Sequence, residues 1–216
     1  MNPFYDLFAV RARAVSAEVH RFATRREALD FVLEFCRADP LVCGRPPGRP
    51  RPHTTDASTA EPGRVPQTRA SAPQDTTSAV WSNSRFLTAA DRDDLTRQFP
   101  NLTFHVTRES AASATVGITE VEWAISETGT LVTDAAAVER RLASTLPEIH
   151  IAIVPTSGIE PDMAAVFTRI HPRQSGYISM ITGPSRTADI ERVLTIGVHG
   201  PKRLIIVFVD EWETQS

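Results

Sequence analysis

Cysteine is scarce in this 216-residue chain: Cys36 and Cys43 are the whole complement, and no Cys-x-x-Cys or His-x-x-x-His pair accompanies them. Neither a zinc site nor an iron–sulfur cluster is therefore encoded by this chain alone, and no other metal site is read. Cys36 falls where a helix would bury it, which reads as a reduced thiol of a cytosolic protein. Charge of one sign is also lacking. A formal net charge of −3 and a pI near 6.1 leave no basic excess to attract nucleic acid or an anionic membrane. The arginines at 11, 13, 21, 25 and 26 are interleaved with Glu18, Glu27 and Asp30, as on a solvated face. No run reaches the roughly 20 apolar residues that span a bilayer. The opening MNPFYDLFAVRARAV has Asp6 inside its apolar stretch and no basic segment ahead of it, so it does not read as a signal peptide. These absences predict a cytoplasmic protein without membrane insertion.

What is present is ordinary globular material, with 41% hydrophobic and 23% charged residues, enough for one well-buried core. The exception is Gly44 to Ser78, which holds seven of the sixteen prolines and only one large apolar residue, Val65. Such a Pro/Ser/Thr-rich stretch buries too little surface to offset its ordering entropy, and it predicts a mobile insertion. A proline-rich docking ligand is the alternative reading.

Elsewhere, strand and helix patterns alternate. A short strand at Ala17 to Ala23 leads to Thr24, which with Glu27 forms a capping-box pair ahead of Ala28, Phe31, Val32 and Phe35 at helical spacing. Strands are predicted at Ala79 to Trp81, at Leu102, Phe104 and Val106, and at His150 to Val154, Tyr177 to Ile181 and Leu204 to Val209. Helices are predicted from Thr88 through Phe99, and over Ala135 to Leu146, Pro161 to Ile170 and Thr187 to Ile196. Continuous apolar strands between helices point to an α/β fold, with a mostly parallel sheet covered on both faces. In such sheets ligands gather beyond the carboxyl ends of the strands.

Two loops hold the candidate chemistry. Gly183, Pro184, Ser185, Arg186, Thr187 and Asp189 follow the strand ending at Ile181 and open the predicted helix. There the first-turn amides and the Arg186 guanidinium would suit an anion. A purely structural capping loop competes with this, because Asp189 can serve the helix dipole itself. No Lys-Ser/Thr ending or spaced glycines support a nucleotide. In the second loop, Thr128, Gly129 and Thr130 suit a tight turn whose hydroxyls orient a ligand or complete the turn, and Glu127 is the carboxylate considered for acid–base or covalent work. His199, between Gly197 and Pro201, is the candidate proton carrier, with a structural turn as its alternative. His150, His171 and the three tryptophans are read as packing or unpartnered residues.

Val116 to Thr119, Ala124 to Val132, Leu146 to His150, Gly183 to Glu191 and Gly197 to Pro201, in that order, resemble the LUD-domain family, of the LutC (YkgG) lactate-utilisation type. The resemblance implies one such domain over residues 1–216, with 44–78 inserted. It implies a fold like that of glucosamine-6-phosphate deaminase, ribose-5-phosphate isomerase and the CoA transferases (NagB/RpiA/CoA-transferase-like). It further implies a part in oxidising L-lactate to pyruvate. Iron–sulfur clusters would then sit on partner subunits, and this chain would hold no cofactor while supplying a small-anion or partner-binding site. A free-standing enzyme on a sugar-phosphate or acyl-CoA-like substrate is the alternative.

Overall fold

A computed structural model describes residues 2–38, 77–170, 175–188, 194–196 and 200–212. All but Thr77 and Ser78 of the expected 44–78 insertion lies outside them. Four of the described helices start where a side chain satisfies an orphan amide of the first turn. After helix α1 (Tyr5–Ala14) and strand β1 (Glu18–Phe22), Thr24 caps helix α2 (Arg25–Arg37): its hydroxyl accepts from Glu27 N at 3.2 Å while the Glu27 carboxylate accepts from Thr24 N at 3.1 Å. The apolar face of α2 buries Ala28, Leu29, Val32, Leu33 and Cys36. Burial pushes the Cys36 thiol up to about 12, so it stays protonated at neutral pH. Strand β2 (Ala79–Trp81) precedes helix α3 (Ala89–Gln98), which Thr88 and Asp91 cap in the same way.

Strand β3 (Leu102–Thr103) is shorter than expected, since Phe104 and Val106 lead directly to Thr107, the cap of helix α4 (Arg108–Ser113). Strands β4 (Val116–Glu120), β5 (Trp123–Ile125) and β6 (Thr130–Asp134), helix α5 (Val138–Thr145) and strand β7 (Ile149–Pro155) follow. Then come β8 (Ile159–Glu160), helix α6 (Met163–Arg169), β9 (Ile178–Ile181), β10 (Arg186–Ala188), β11 (Leu194–Ile196) and β12 (Arg203–Val209).

The main sheet has the order β1-β12-β7-β4-β2-β3, and every pairing in it is parallel. Its central strands are buried on both faces, as the unbroken apolar runs predict. Ile205, Val207 and Val209 of β12 join Ile151 and Ile153 of β7 under α2 and α3. Leu204, Ile206 and Phe208 point the other way, toward α1 and a second sheet. Phe208 takes the edges of Tyr5 and Phe8 at ring separations of 5.5 and 5.1 Å, which docks α1 on the sheet.

Two expectations fail here. The Tyr177 to Ile181 run does not enter the parallel sheet, because β9 pairs antiparallel with β6 in a small sheet of order β8-β5-β6-β9. At its described ends, Thr187 to Ala188 and Leu194 to Ile196, the span expected as a helix is strand. Arg186 to Ala188 pairs antiparallel with Leu194 to Ile196, and the β-branched Thr187, Thr195 and Ile196 suit that ladder better than a helical turn.

Candidate functional site

The pairing of β6 with β9 sets Leu131 opposite Ile181, and this brings the two sequence-predicted loops together. Thr128 Oγ1 donates to Thr130 Oγ1 at 2.7 Å, and the Thr130 hydroxyl meets that of Thr182 at 2.8 Å. Both turns bend through glycines in the left-handed region, Gly129 at φ 68° and Gly183 at φ 74°. Both also touch the end of α1. A Cβ on Gly129 would overlap the backbone of Arg11 and Ala12, and one on Gly183 would overlap the carbonyl of Val15. Glu127 and Thr128 are exposed, and the Glu127 carboxylate has no partner among the described residues.

Among the described residues the helix start expected to cradle an anion is replaced by strand. Arg186 to Ala188 therefore present no first-turn amides, and Arg186 is already engaged. Its Nη2 donates to Val15 O at 2.6 Å and to Ser16 Oγ at 3.2 Å. Ser16, at φ 70°, closes α1: its amide reaches Arg13 O at 2.9 Å and that of Ala17 reaches Ala12 O at 3.0 Å. This is a Schellman-type ending, and Arg186 sets its charge at the negative end of the helix dipole. Pro184 is buried, and Ser185 N donates to Pro201 O at 2.9 Å, so this loop is tied down on both sides. Thr187 is in the β10 ladder opposite Thr195, while Asp189 and His199 lie outside the described residues. Arg186→Ala is therefore expected to lower stability by about 1 kcal/mol, read as a shifted urea midpoint. An unchanged midpoint would contradict the capping role.

A cavity of about 290 Å³ lies beside these loops, lined by Thr182, Gly183, Ser185, Ser144, Gly200 and His150 among others. His150 is fully buried, and its Nε2 is 2.8 Å from Thr119 Oγ1. Burial pushes its pKa down to about 4, so the ring is neutral at pH 7. His150 is the second residue of β7, which puts this cavity at the amino edge of the main sheet.

A second space, of about 350 Å³, opens at the opposite, carboxyl edge. Glu120 ends β4, Pro155 ends β7, Arg85 follows β2 and Trp212 follows β12, and all four line it. Glu120 is 2% exposed. Its Oε2 accepts from Ser84 Oγ at 2.8 Å, Arg85 N at 2.7 Å and Phe86 N at 3.3 Å. Its Oε1 forms an ion pair with Arg85 Nη2 at 3.6 Å, longer than a hydrogen bond. Glu122 is committed to Arg140 at 2.5 Å and to Thr133 Oγ1 at 2.7 Å, and Glu160 meets Arg169 at 3.1 Å.

The LUD domain model matches residues 5–209. The chain belongs to the LUD-domain family. It is 38% identical over 109 residues to lactate utilization protein C of Halalkalibacterium halodurans, an overlap of 48% of this chain and 47% of that one. It is 34% identical over 152 residues to the protein of the same name from Geobacillus sp. strain WCH70, 61% of each chain. With the uncharacterized protein YkgG of Escherichia coli K12 it shares 35% over 107 residues, 47% of this chain and 46% of the relative. The chain thus matches about half the length of most of these curated relatives. A crystal structure of a DUF162 family protein from Deinococcus radiodurans superposes with a TM-score of 0.56, covering 95% of this chain and 96% of that one. At 15% identity that likeness concerns the fold alone.

Within this LUD domain the two loops singled out from sequence adjoin, the helix start expected at Arg186 to Ala188 is a strand, and Glu120 and Arg85 were not among the sequence candidates. A signal for Glu120 was present. It closes Val116 to Glu120, a strand buried throughout, and a carboxylate at the end of a fully buried strand needs specific partners. Among the described residues no group of three or more His, Cys, Asp or Glu is arranged to hold a metal ion, and no helix is long and apolar enough to cross a membrane.

Proposed function

We propose that this LUD domain is a LutC-like component of an L-lactate utilisation system. In this reading it supplies a small-anion or partner-binding site to a complex that oxidises lactate to pyruvate, and the iron–sulfur redox centres sit on partner subunits. The observation that carries the reading is the 34–38% identity to proteins named lactate utilization protein C in separate bacterial genera. What supports a binding role is the lining of the cavities at the two edges of the main sheet, which brings hydroxyls to one and carboxylates and arginines to the other.

The test is genetic and biochemical. Deleting the gene in its host is expected to abolish growth on L-lactate while sparing growth on pyruvate, and the tagged full chain is expected to co-purify an iron–sulfur protein. Normal lactate growth of a deletion strain free of paralogues would overturn the reading.

A further inference from the structure

The connections of the main sheet diverge at one place. From β2 the chain steps outward to its neighbour β3, whereas from β4 it steps the opposite way to β7, and β2 and β4 lie side by side. Loops leaving two such strands part company and leave a crevice between them, the usual ligand position in open parallel sheets. In this domain that crevice is bounded by Arg85, after β2, and Glu120, at the end of β4.

The loop after β2 is held still. The Glu120 carboxylate grips the amides of Arg85 and Phe86, Arg25 Nη1 donates to Phe86 O at 3.1 Å, and Arg92 Nη2 donates to Ser84 O at 3.3 Å. The Arg85 head, by contrast, is held only by its 3.6 Å ion pair with Glu120 Oε1: its side chain is 65% exposed and its guanidinium makes no hydrogen bond among the described residues. Beside it, Glu120 Oε1 accepts no hydrogen bond although the residue is buried. Ser82, one residue past β2 on the same edge, also buries a hydroxyl without a partner among the described residues. A fixed backbone thus presents a loosely ion-paired forked donor next to a carboxylate oxygen that accepts no hydrogen bond. The donor suits a carboxylate, and the oxygen suits a hydroxyl proton.

We propose that this crevice binds a small 2-hydroxy carboxylate, with Arg85 taking its carboxylate and Glu120 Oε1 accepting from its hydroxyl. The choice of a 2-hydroxy acid rests on the lactate reading, whereas the place and the two residue roles rest on the geometry. Trp123 and Trp212 supply the apolar wall for the rest of the molecule.

The experiment is calorimetric titration of the purified full chain with L-lactate, pyruvate, propionate and inorganic phosphate. Expected is saturable binding of lactate, tighter than that of pyruvate or propionate, which lack the hydroxyl donor. Arg85→Ala is expected to weaken lactate about tenfold or more, and Glu120→Gln to narrow the gap between lactate and propionate. Half-exposed Lys202, paired with Glu148 just ahead of β12 and β7 at the opposite, amino edge of the sheet, serves as control, and Lys202→Ala should leave all four unchanged. No saturable lactate binding, equal lactate affinity in wild type and Arg85→Ala, or phosphate bound as well as lactate would each overturn the proposal.

Complementation of the deletion strain separates this from the broader reading. Lactate growth restored fully by the Arg85→Ala gene would sink the crevice site while leaving the lactate role standing. Lactate-independent behaviour of the deletion strain, with Arg85-dependent binding intact in vitro, would sink the role and leave the site.

Discussion

Gly183→Ala is expected to destabilise the domain by about 2 to 5 kcal/mol, and Gly129→Ala by a similar amount. Two costs add at each position. The backbone is left-handed, at φ 74° and φ 68°, which a side chain bearing Cβ adopts at a cost of about 1–2 kcal/mol. The new methyl would then overlap main-chain atoms of α1, Val15 O in one case and the Arg11–Ala12 backbone in the other. Main chain at a helix end cannot rotate aside as a side chain can, so α1 would have to lift from Phe208 and the sheet. Gly176→Ala is the control, since its added Cβ would meet only the Ala136 methyl at 3.8 Å. Urea midpoints for the three variants decide the matter. A Gly183→Ala protein within about 0.5 kcal/mol of wild type would show that the glycine is not there to admit α1.

That prediction also explains why the loop misled a reading of residues alone. Gly-Pro-Ser-Arg-Thr after an apolar run has the composition of an anion loop, because the needs of tight backbone approach and of ligand approach are the same. Only the third dimension reveals that the close neighbour is the carboxyl end of α1 and that the cation is consumed by Val15 O. Local signals fared better where their partner was also local. Thr24 with Glu27 forms the reciprocal cap expected from sequence, and Thr88, expected to open a helix, forms one with Asp91, since a capping box closes within three residues. The apolar strands β7 and β12 were equally legible, because burial on both faces leaves an unbroken run. The strand β9 has the same kind of composition, yet it belongs to the small antiparallel sheet, and nothing within Ile178 to Ile181 distinguishes the two destinations. The carboxyl-edge crevice was illegible for a related reason. Arg85 and Glu120 are 35 residues apart in sequence and meet only because β2 and β4 are neighbours.

The largest pH effect is expected from His150. In the unfolded chain its pKa returns to the ordinary 6.5, while burial pushes it down to about 4 in the folded state. As pH falls through 6.5 the unfolded state takes up the proton first, so stability is fully present above that value and drains away until about pH 4. The gap corresponds to about 3 kcal/mol, a large share of the stability of a domain this size. His20, whose pKa burial also lowers, acts in the same direction, so the measurement must be a difference. His150→Gln can keep a polar contact with Thr119 but cannot be protonated. The variant is expected to start less stable at neutral pH, because its packing in a fully buried site is imperfect. Its urea midpoint should then fall less steeply than that of wild type between about pH 6.5 and 4, and the two curves should converge. Parallel curves across that window would mean that His150 is protonated as readily in the folded protein as in the unfolded chain. The imidazole lining the amino-edge cavity could then not be the neutral, Thr119-bonded group that its burial requires.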